Sequence, residues 1–390
     1  MKYDFDEVID RHHTASMKYD AGPLMGKPDD LLPVWVADMD FRMPQPAIDA
    51  VKQRAEQGIF GYGLLPDGYF EAVRNWFADR YGWQVERPWL VTTPGVVFAL
   101  SLAVRTFTQP GDAVLIQPPV YYPFKSIIQE AGDRRLVQAP LVYEDDGYRI
   151  DFKAFEQVVE REKPKMFLLC NPHNPVGRVW TAEELCRLGQ ICLDHGVLVA
   201  SDEIHADFAR PGFAHTAFAS LDPRFADNCI VCTAPSKTFN LAGLQVSNIF
   251  IPNADLRHRY KEAYRALGLS SANTLGLTAA QACYERGADW LAQLKDYLEG
   301  NHAELGAYLA RHAPQLRVVE PQSTYLVWVD CRALGLTDEQ LQQAVERKAK
   351  LWVDFGSMFG EEGEGFVRLN IACPRSTVRE MARRLALIAQ

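Results

Sequence analysis

Short apolar runs alternate with longer amphipathic segments through most of the chain. The runs lie at residues 89–93, 113–117, 166–170, 197–201, 230–233 and 247–251. Four or five apolar residues bounded by polar ones fit strands buried on both faces. Each run neighbours a segment with helical spacing. In Thr181-Ala-Glu-Glu-Leu-Cys-Arg-Leu, Thr181 can cap a helix and Glu184 stands three residues on, the spacing of a capping box. Strands alternating with helices predict an α/β unit, a mostly parallel, doubly wound sheet, over residues 45–285. The pattern then changes. A long helical stretch at 288–312 ends at Pro314. Strand-like runs follow at 316–320 and 324–329, then a helix near 338–350 and a final strand at 365–370. This predicts a smaller α+β domain over 286–390. Pro28, Pro33, Pro44 and Pro46 punctuate an irregular N-terminal arm, residues 1–44, expected to join the small domain.

Composition narrows the class. With 390 residues the chain is long enough for two or three domains at roughly 150 residues each. Its 48% hydrophobic and 23% charged residues exclude a disordered or fibrous chain. A net charge of −9 repels phosphate backbones, so nucleic acid is not an expected partner. The run 96–104, interrupted by Ser101 and closed by Arg105, falls short of the ~20 residues of a membrane span. The start, Met1-Lys2-Tyr3-Asp4-Phe5-Asp6-Glu7, has no signal-peptide apolar stretch. A soluble, cytoplasmic protein is expected. The eight cysteines are scattered, and Cys229-Ile-Val-Cys232 has no second pair to complete a zinc site. Residues three apart on a strand point to opposite faces, so both are expected to be buried structural thiols, with no metal site.

Several motifs are missing. Gly22-Pro-Leu-Met-Gly26-Lys27-Pro28 looks superficially like a phosphate loop. Its glycine spacing is one residue short, and Pro28 stands where a magnesium-binding hydroxyl belongs. Gly61-Tyr-Gly63 lacks the third glycine of a dinucleotide fingerprint, and neither GxSxG nor HExxH occurs.

The remaining chemistry stands at the C-terminal ends of the predicted strands, where open α/β sheets bind ligands. Strand 166–170 runs into Asn171-Pro-His-Asn174-Pro175-Val-Gly177, and 197–201 into Asp202-Glu203-Ile-His205. Strand 230–233 runs into Ser236-Lys237-Thr238, and 89–93 into Pro94-Gly95-Val96-Val97. Taken singly, each residue has an ordinary structural reading: a loop lysine, a helix-capping acid, a turn asparagine. Together they supply a desolvated amine, a strand-end carboxylate, an amide donor and a helix start able to cradle phosphate. Those are the parts that pyridoxal phosphate requires.

The segment Ser236-Lys237-Thr238-Phe239-Asn240-Leu-Ala-Gly243-Leu-Gln245 resembles the lysine motif of fold-type I pyridoxal-phosphate enzymes. The Asn171–Gly177 and Ser201–His205 segments resemble their two other motifs. Within that superfamily the chain resembles the MalY/PatB group of cystathionine β-lyase-like C–S lyases. The resemblance rests on Leu32-Pro-Val-Trp35-Val-Ala37-Asp38-Met39-Asp40-Phe41, Thr324-Tyr325-Leu-Val-Trp328-Val-Asp330 and Arg368-Leu-Asn-Ile-Ala-Cys-Pro374. It implies that Lys237 bonds covalently to the coenzyme and that Asp202 pairs with the pyridine nitrogen. Asn174, with His205 beside it, would face the phenolic oxygen. Tyr121 would stack on the ring and is a candidate proton donor, with Tyr122 as the competing choice for the stack. Gly95, Val96, Val97 and Ser236 would hold the phosphate. Tyr62 would reach the phosphate of a neighbouring subunit, implying a homodimer with shared sites. Arg368 would clamp the substrate α-carboxylate in a bidentate pair, assisted by the Ala37 backbone. The implied reaction is β-elimination from L-cystathionine or a related L-cysteine S-conjugate, giving a thiol, pyruvate and ammonia. An aminotransferase using a 2-oxo acid is the alternative, and a regulatory protein with vestigial activity is a third. One departure bears on the choice. Many aminotransferases of this fold carry a phosphate-binding Arg where this chain has Gln245, which keeps a donor but not the charge.

Overall fold

The structure, a computed structural model, describes residues 1–144, 147–269 and 272–390. Its centre is a seven-stranded sheet in the order Leu90–Thr93, Ser247–Phe250, Cys229–Thr233, Leu198–Asp202, Met166–Cys170, Ala113–Ile116, Arg135–Gln138. Five of these strands, from Cys229–Thr233 to Arg135–Gln138, run parallel; Ser247–Phe250 is antiparallel to both of its neighbours. The predicted mostly parallel sheet is therefore present, with one reversed strand.

The middle strands are buried along their whole length. Successive residues alternate between two cores. Phe167, Leu169, Val199 and Val231 face one, and Leu168, Cys170, Ala200 and Ile230 face the other. Cys229 and Cys232 fall on opposite faces, as a pleat with period two requires. All eight cysteines are free thiols. Helix Val96–Phe107 packs across one face of the sheet, its apolar side against Leu198–Asp202 and Cys229–Thr233. Helix Ala182–Asp194 begins with the anticipated capping box: Thr181 Oγ1 accepts from Glu184 N–H, and Glu184 Oε2 accepts from Thr181 N–H.

Helix Ala288–His312 leads into a four-stranded antiparallel sheet ordered Arg317–Val318, Leu326–Asp330, Phe366–Asn370, Asp354–Phe355. The segment expected to be helical at 338–350 is an α-helix only over Asp338–Gln343; a π-turn at Ala344–Lys348 closes it. Helix Arg375–Leu385, which packs against Ala288–His312, was not anticipated because its sequence is dominated by arginine and polar residues. The N-terminal arm reaches this part of the molecule. Leu32–Pro33 pairs in parallel with Leu351–Trp352, and the Trp35 and Trp352 rings stack at 4.4 Å. Among the described residues no helix is long and apolar enough to cross a membrane.

Candidate active site

A cleft of about 760 Å³ opens at the C-terminal ends of the parallel strands. Its lining includes Ala37, Gly95, Val96, Val97, Tyr121, Asn174, Asp202, His205, Ser236 and Lys237. Four strand ends and the N-terminal arm therefore meet where the sequence placed the chemistry. Three predicted residues stand elsewhere. Arg368 is buried behind the wall and reaches the cleft through Asn174. Tyr122 turns toward Phe359, with ring centroids 5.7 Å apart, and leaves the cleft face to Tyr121. Tyr62 is fully exposed, away from the chain's own cleft.

Lys237 sits in the short turn Pro235–Thr238 that follows a buried strand. Its Nζ donates to Ala37 O at 2.7 Å. Burial lowers its pKa to about 8, with Arg368 pushing the same way while Asp38 and Asp202 partly oppose it. Asp202 ends the central strand Leu198–Asp202 and is buried. Its carboxylate accepts one backbone hydrogen bond, from Ile204 N–H at 3.2 Å. Burial raises its pKa to about 7, Ile204 and Lys237 opposing. His205 is buried with Nδ1 unpartnered, and burial, then Lys237 and Arg368, lower its pKa to about 3, so it is neutral. The Asn174 amide oxygen accepts from Arg368 Nη1 at 2.9 Å, which leaves its NH₂ uncommitted. No side chain caps helix Val96–Phe107, and Gly95 to Val97 face the cleft. Its first N–H groups and the positive end of its dipole suit an anion.

These features fit pyridoxal phosphate. An under-partnered buried carboxylate wants a cationic N–H donor, and an uncapped helix start wants a phosphate. An unpaired imidazole nitrogen and a free amide want a ring oxygen or its neighbours. Among the described residues no group of His, Cys, Asp and Glu side chains could hold a metal ion.

Ala37 lines the cleft from the N-terminal arm, and its segment, residues 36–41, is held from three sides. Asn370 Nδ2 donates to Val36 O and Asp38 O, both at 2.6 Å. Asn240 bonds Met39 N–H, Met39 O and Phe41 O at 3.0, 2.9 and 3.0 Å. From the arm, Arg11 pairs with Asp38 at 2.6 Å and Asp40 at 2.7 Å, and buried Lys18 pairs with Asp40 at 2.8 Å. Tyr325 Oη donates to Ala37 O at 3.0 Å, sharing that acceptor with Lys237.

Tyr325 and Asp354 were not singled out by the sequence. Tyr325 stood inside a recognised motif without a role. Asp354, an acid in the otherwise apolar stretch Leu351-Trp-Val-Asp-Phe355, was the available signal for the other. Arg368 was expected to clamp the substrate α-carboxylate in a bidentate pair. Asp354, its direct partner across the antiparallel strands, holds it in a buried ion pair.

The chain matches the family model "Aminotransferase class I and II" over residues 35–385. It is 44% identical to cystathionine beta-lyase PatB of Bacillus subtilis over 382 residues, 98% of either chain. Cystalysin from Treponema denticola, whose crystal structure contains a pyridoxal 5'-phosphate cofactor, superposes with a TM-score of 0.96 at 37% identity, covering 100% of this chain and 99% of that one. The PLP-bound C–S lyase from Staphylococcus hominis gives 0.94 at 34%, covering 100% and 98%. Sequence, fold and cleft agree, and the chain belongs to the class I and II aminotransferase family.

Proposed function

We propose that the chain is a pyridoxal-phosphate-dependent carbon–sulfur β-lyase acting on L-cystathionine or related L-cysteine S-conjugates, with release of a thiol, pyruvate and ammonia. The observation that carries this reading is the convergence of Lys237, Asp202, Asn174 and an uncapped helix start in one cleft. The 44% identity to a cystathionine beta-lyase over 98% of the chain supports the choice of lyase.

When bound, the coenzyme supplies the electron sink that makes the substrate Cα proton removable and the Cβ–S bond breakable. The protein positions the rest. Lys237 is the point of covalent attachment, and its Nζ takes the Cα proton. A pKa near 8 puts a useful fraction of neutral amine at physiological pH. Asp202 would pair with the pyridine nitrogen and, so paired, would be held as the anion. Asn174 and His205 address the phenolic oxygen. Gly95, Val96, Val97 and Ser236 cradle the phosphate. Tyr121 covers the ring. Burial raises its pKa well above the usual phenol value, so it stays protonated in the coenzyme-free protein; its hydroxyl is the donor assigned to the departing sulfur. Arg368 and the Ala37 backbone receive the α-carboxylate.

The division into arm 1–44, coenzyme unit 45–285 and small unit 286–390 belongs to this reading; pairing of Leu32–Pro33 with Leu351–Trp352 supports it. So does a homodimer. Ile59, Phe60, Tyr62 and Leu64 are exposed together in a stretch that has neither helix nor strand, a surface that suits burial by a second copy. A cytoplasmic setting accords with eight unpaired thiols.

The test is incubation of coenzyme-loaded protein with L-cystathionine and no 2-oxo acid. Equal amounts of pyruvate and thiol establish elimination. Amino transfer that appears only when a 2-oxo acid is added makes the protein an aminotransferase.

A further inference from the structure

We propose that Tyr325 is a positioning residue that acts through Lys237: by sharing the Ala37 carbonyl with the lysine, it weakens that carbonyl's hold on the ammonium form and leaves the freed amine ready to take a proton. This deepens the reading in which Lys237 is the base, whichever product follows. Ala37 O has two acceptor lone pairs. Lys237 Nζ donates to it at 2.7 Å and Tyr325 Oη at 3.0 Å. The flanking carbonyls, Val36 O and Asp38 O, both accept from Asn370 Nδ2. Asn370 therefore fixes where the Ala37 carbonyl lies, and Tyr325 is left to set how strongly it accepts. A hydrogen bond to the charged form of a group favours that form, so a carbonyl given wholly to Lys237 would favour the ammonium. A second donor on the same oxygen takes up part of its electron density. The hydroxyl proton of Tyr325 also carries partial positive charge to the oxygen that Nζ shares, which opposes a full positive charge there.

Tyr325 is fixed in place. It is fully buried, and its hydroxyl donates to Ala37 O. The Phe208 ring meets it edge-on at 4.9 Å and the His205 ring at 6.1 Å. Its own carbonyl accepts from Ile371 N–H at 3.0 Å. Burial, then the charge of Asp38, raise the phenol pKa far above its usual value, so Tyr325 stays a donor. The charged groups that act on Lys237 are Asp202 at the sheet end, Asp38 on the arm and Arg368 on the small sheet. The two carboxylates favour the ammonium, and burial and Arg368 oppose it. Arg11 pairs with Asp38. Around the same cleft, His205 is neutral and Tyr121 keeps its proton. Tyr325→Phe leaves all of these charges in place and keeps the ring that Phe208 packs against. A change in Lys237 then reports the lost hydroxyl.

The first experiment uses the coenzyme-free protein, in which the amine is free. Lys237 is labelled with acetic anhydride from about pH 6 to about pH 11, a range that spans an ordinary lysine pKa. Its peptide is quantified by mass spectrometry against that of exposed Lys52. The midpoint for Lys237 should lie at about 8 in the wild type. In Tyr325→Phe it should rise by about half a unit or more, with the limiting rate at high pH unchanged within about twofold. The Lys52 midpoint should not move. A Lys237 midpoint that stays or falls overturns the proposal. So does a rise accompanied by a faster limiting rate, because that is the sign of water entering a loosened cleft. In the coenzyme-loaded enzyme, the ratio of kcat near about pH 6.5 to kcat near about pH 9 should fall about threefold in the variant. An unchanged ratio overturns the proposal. If no pyruvate forms from any S-conjugate, the lyase reading fails on its own, and the labelling midpoint decides the proposal by itself.

Discussion

The two walls of the cleft are built by different means. On one, Asn174, Asp202 and Lys237 each stand within a few residues of the end of a buried parallel strand. Backbone pairing along the sheet sets their places, and the strands are locked by apolar residues on both faces. On the other, Ala37 lines the cleft, and Arg368, Tyr325 and Asp354 stand behind it on three separate segments of the C-terminal sheet region. Side-chain bonds to backbone carbonyls join them: Asn370 to Val36 and Asp38, Asn240 to Met39 and Phe41, Tyr325 to Ala37. On the proposed reading, the first wall holds the groups that do the chemistry and the second holds the substrate. Damage to the first should fall on kcat, and damage to the second should fall more on KM.

The largest effect expected is on the first wall. Lys237→Ala should lower turnover by at least about four orders of magnitude, since it removes both the attachment point and the base. Absorbance of the bound coenzyme should change with it. Next comes Arg368→Lys. It keeps the charge but loses the planar fork, and kcat/KM for S-ethyl-L-cysteine should fall about 10²-fold, mostly through KM. A kcat loss as large as the KM rise would place Arg368 in the chemistry and blur the contrast. Tyr325→Phe removes one hydrogen bond on Ala37 O and should cost about tenfold in kcat/KM or less. Arg11→Gln should cost a few-fold at most, since Lys18 still holds Asp40.

Asp202 sharpens the contrast through stability. Its folded pKa of about 7 lies above its unfolded value. The stability linked to its protonation is therefore fully present below the unfolded pKa, near pH 4, and lost as pH rises through 7. In coenzyme-free protein, Asp202→Asn should raise Tm at pH 8, and the gain should vanish near pH 4. Added pyridoxal phosphate should stabilise the wild type more than the variant. No equivalent gain is expected from Asn240→Ala, where buried bonds are simply lost.

The same difference explains what could be read from the sequence. Strand-end motifs are contiguous, so Lys237, Asp202, Asn174 and the Gly95 helix start were legible, and the structure gathers them in the cleft. The strands 166–170 and 229–233 and the helix 288–312 were legible from apolar pattern alone. Asp354 was not, because its meaning depends on being the cross-strand partner of Arg368, a pairing that no local pattern encodes. Tyr325 depends likewise on a carbonyl 288 residues away. The edge strand Arg135–Gln138 and the hairpin Val142–Glu144 with Gly147–Arg149 escaped because they are short and half exposed, with weak alternation.

The most direct measurement compares wild type and Lys237→Ala, both supplied with pyridoxal phosphate, on L-cystathionine without a 2-oxo acid. The account predicts catalytic pyruvate with an equal yield of thiol from the wild type and none above background from the variant. Undiminished elimination by the variant, or a wild type that only transfers its amino group to an added 2-oxo acid, would contradict it.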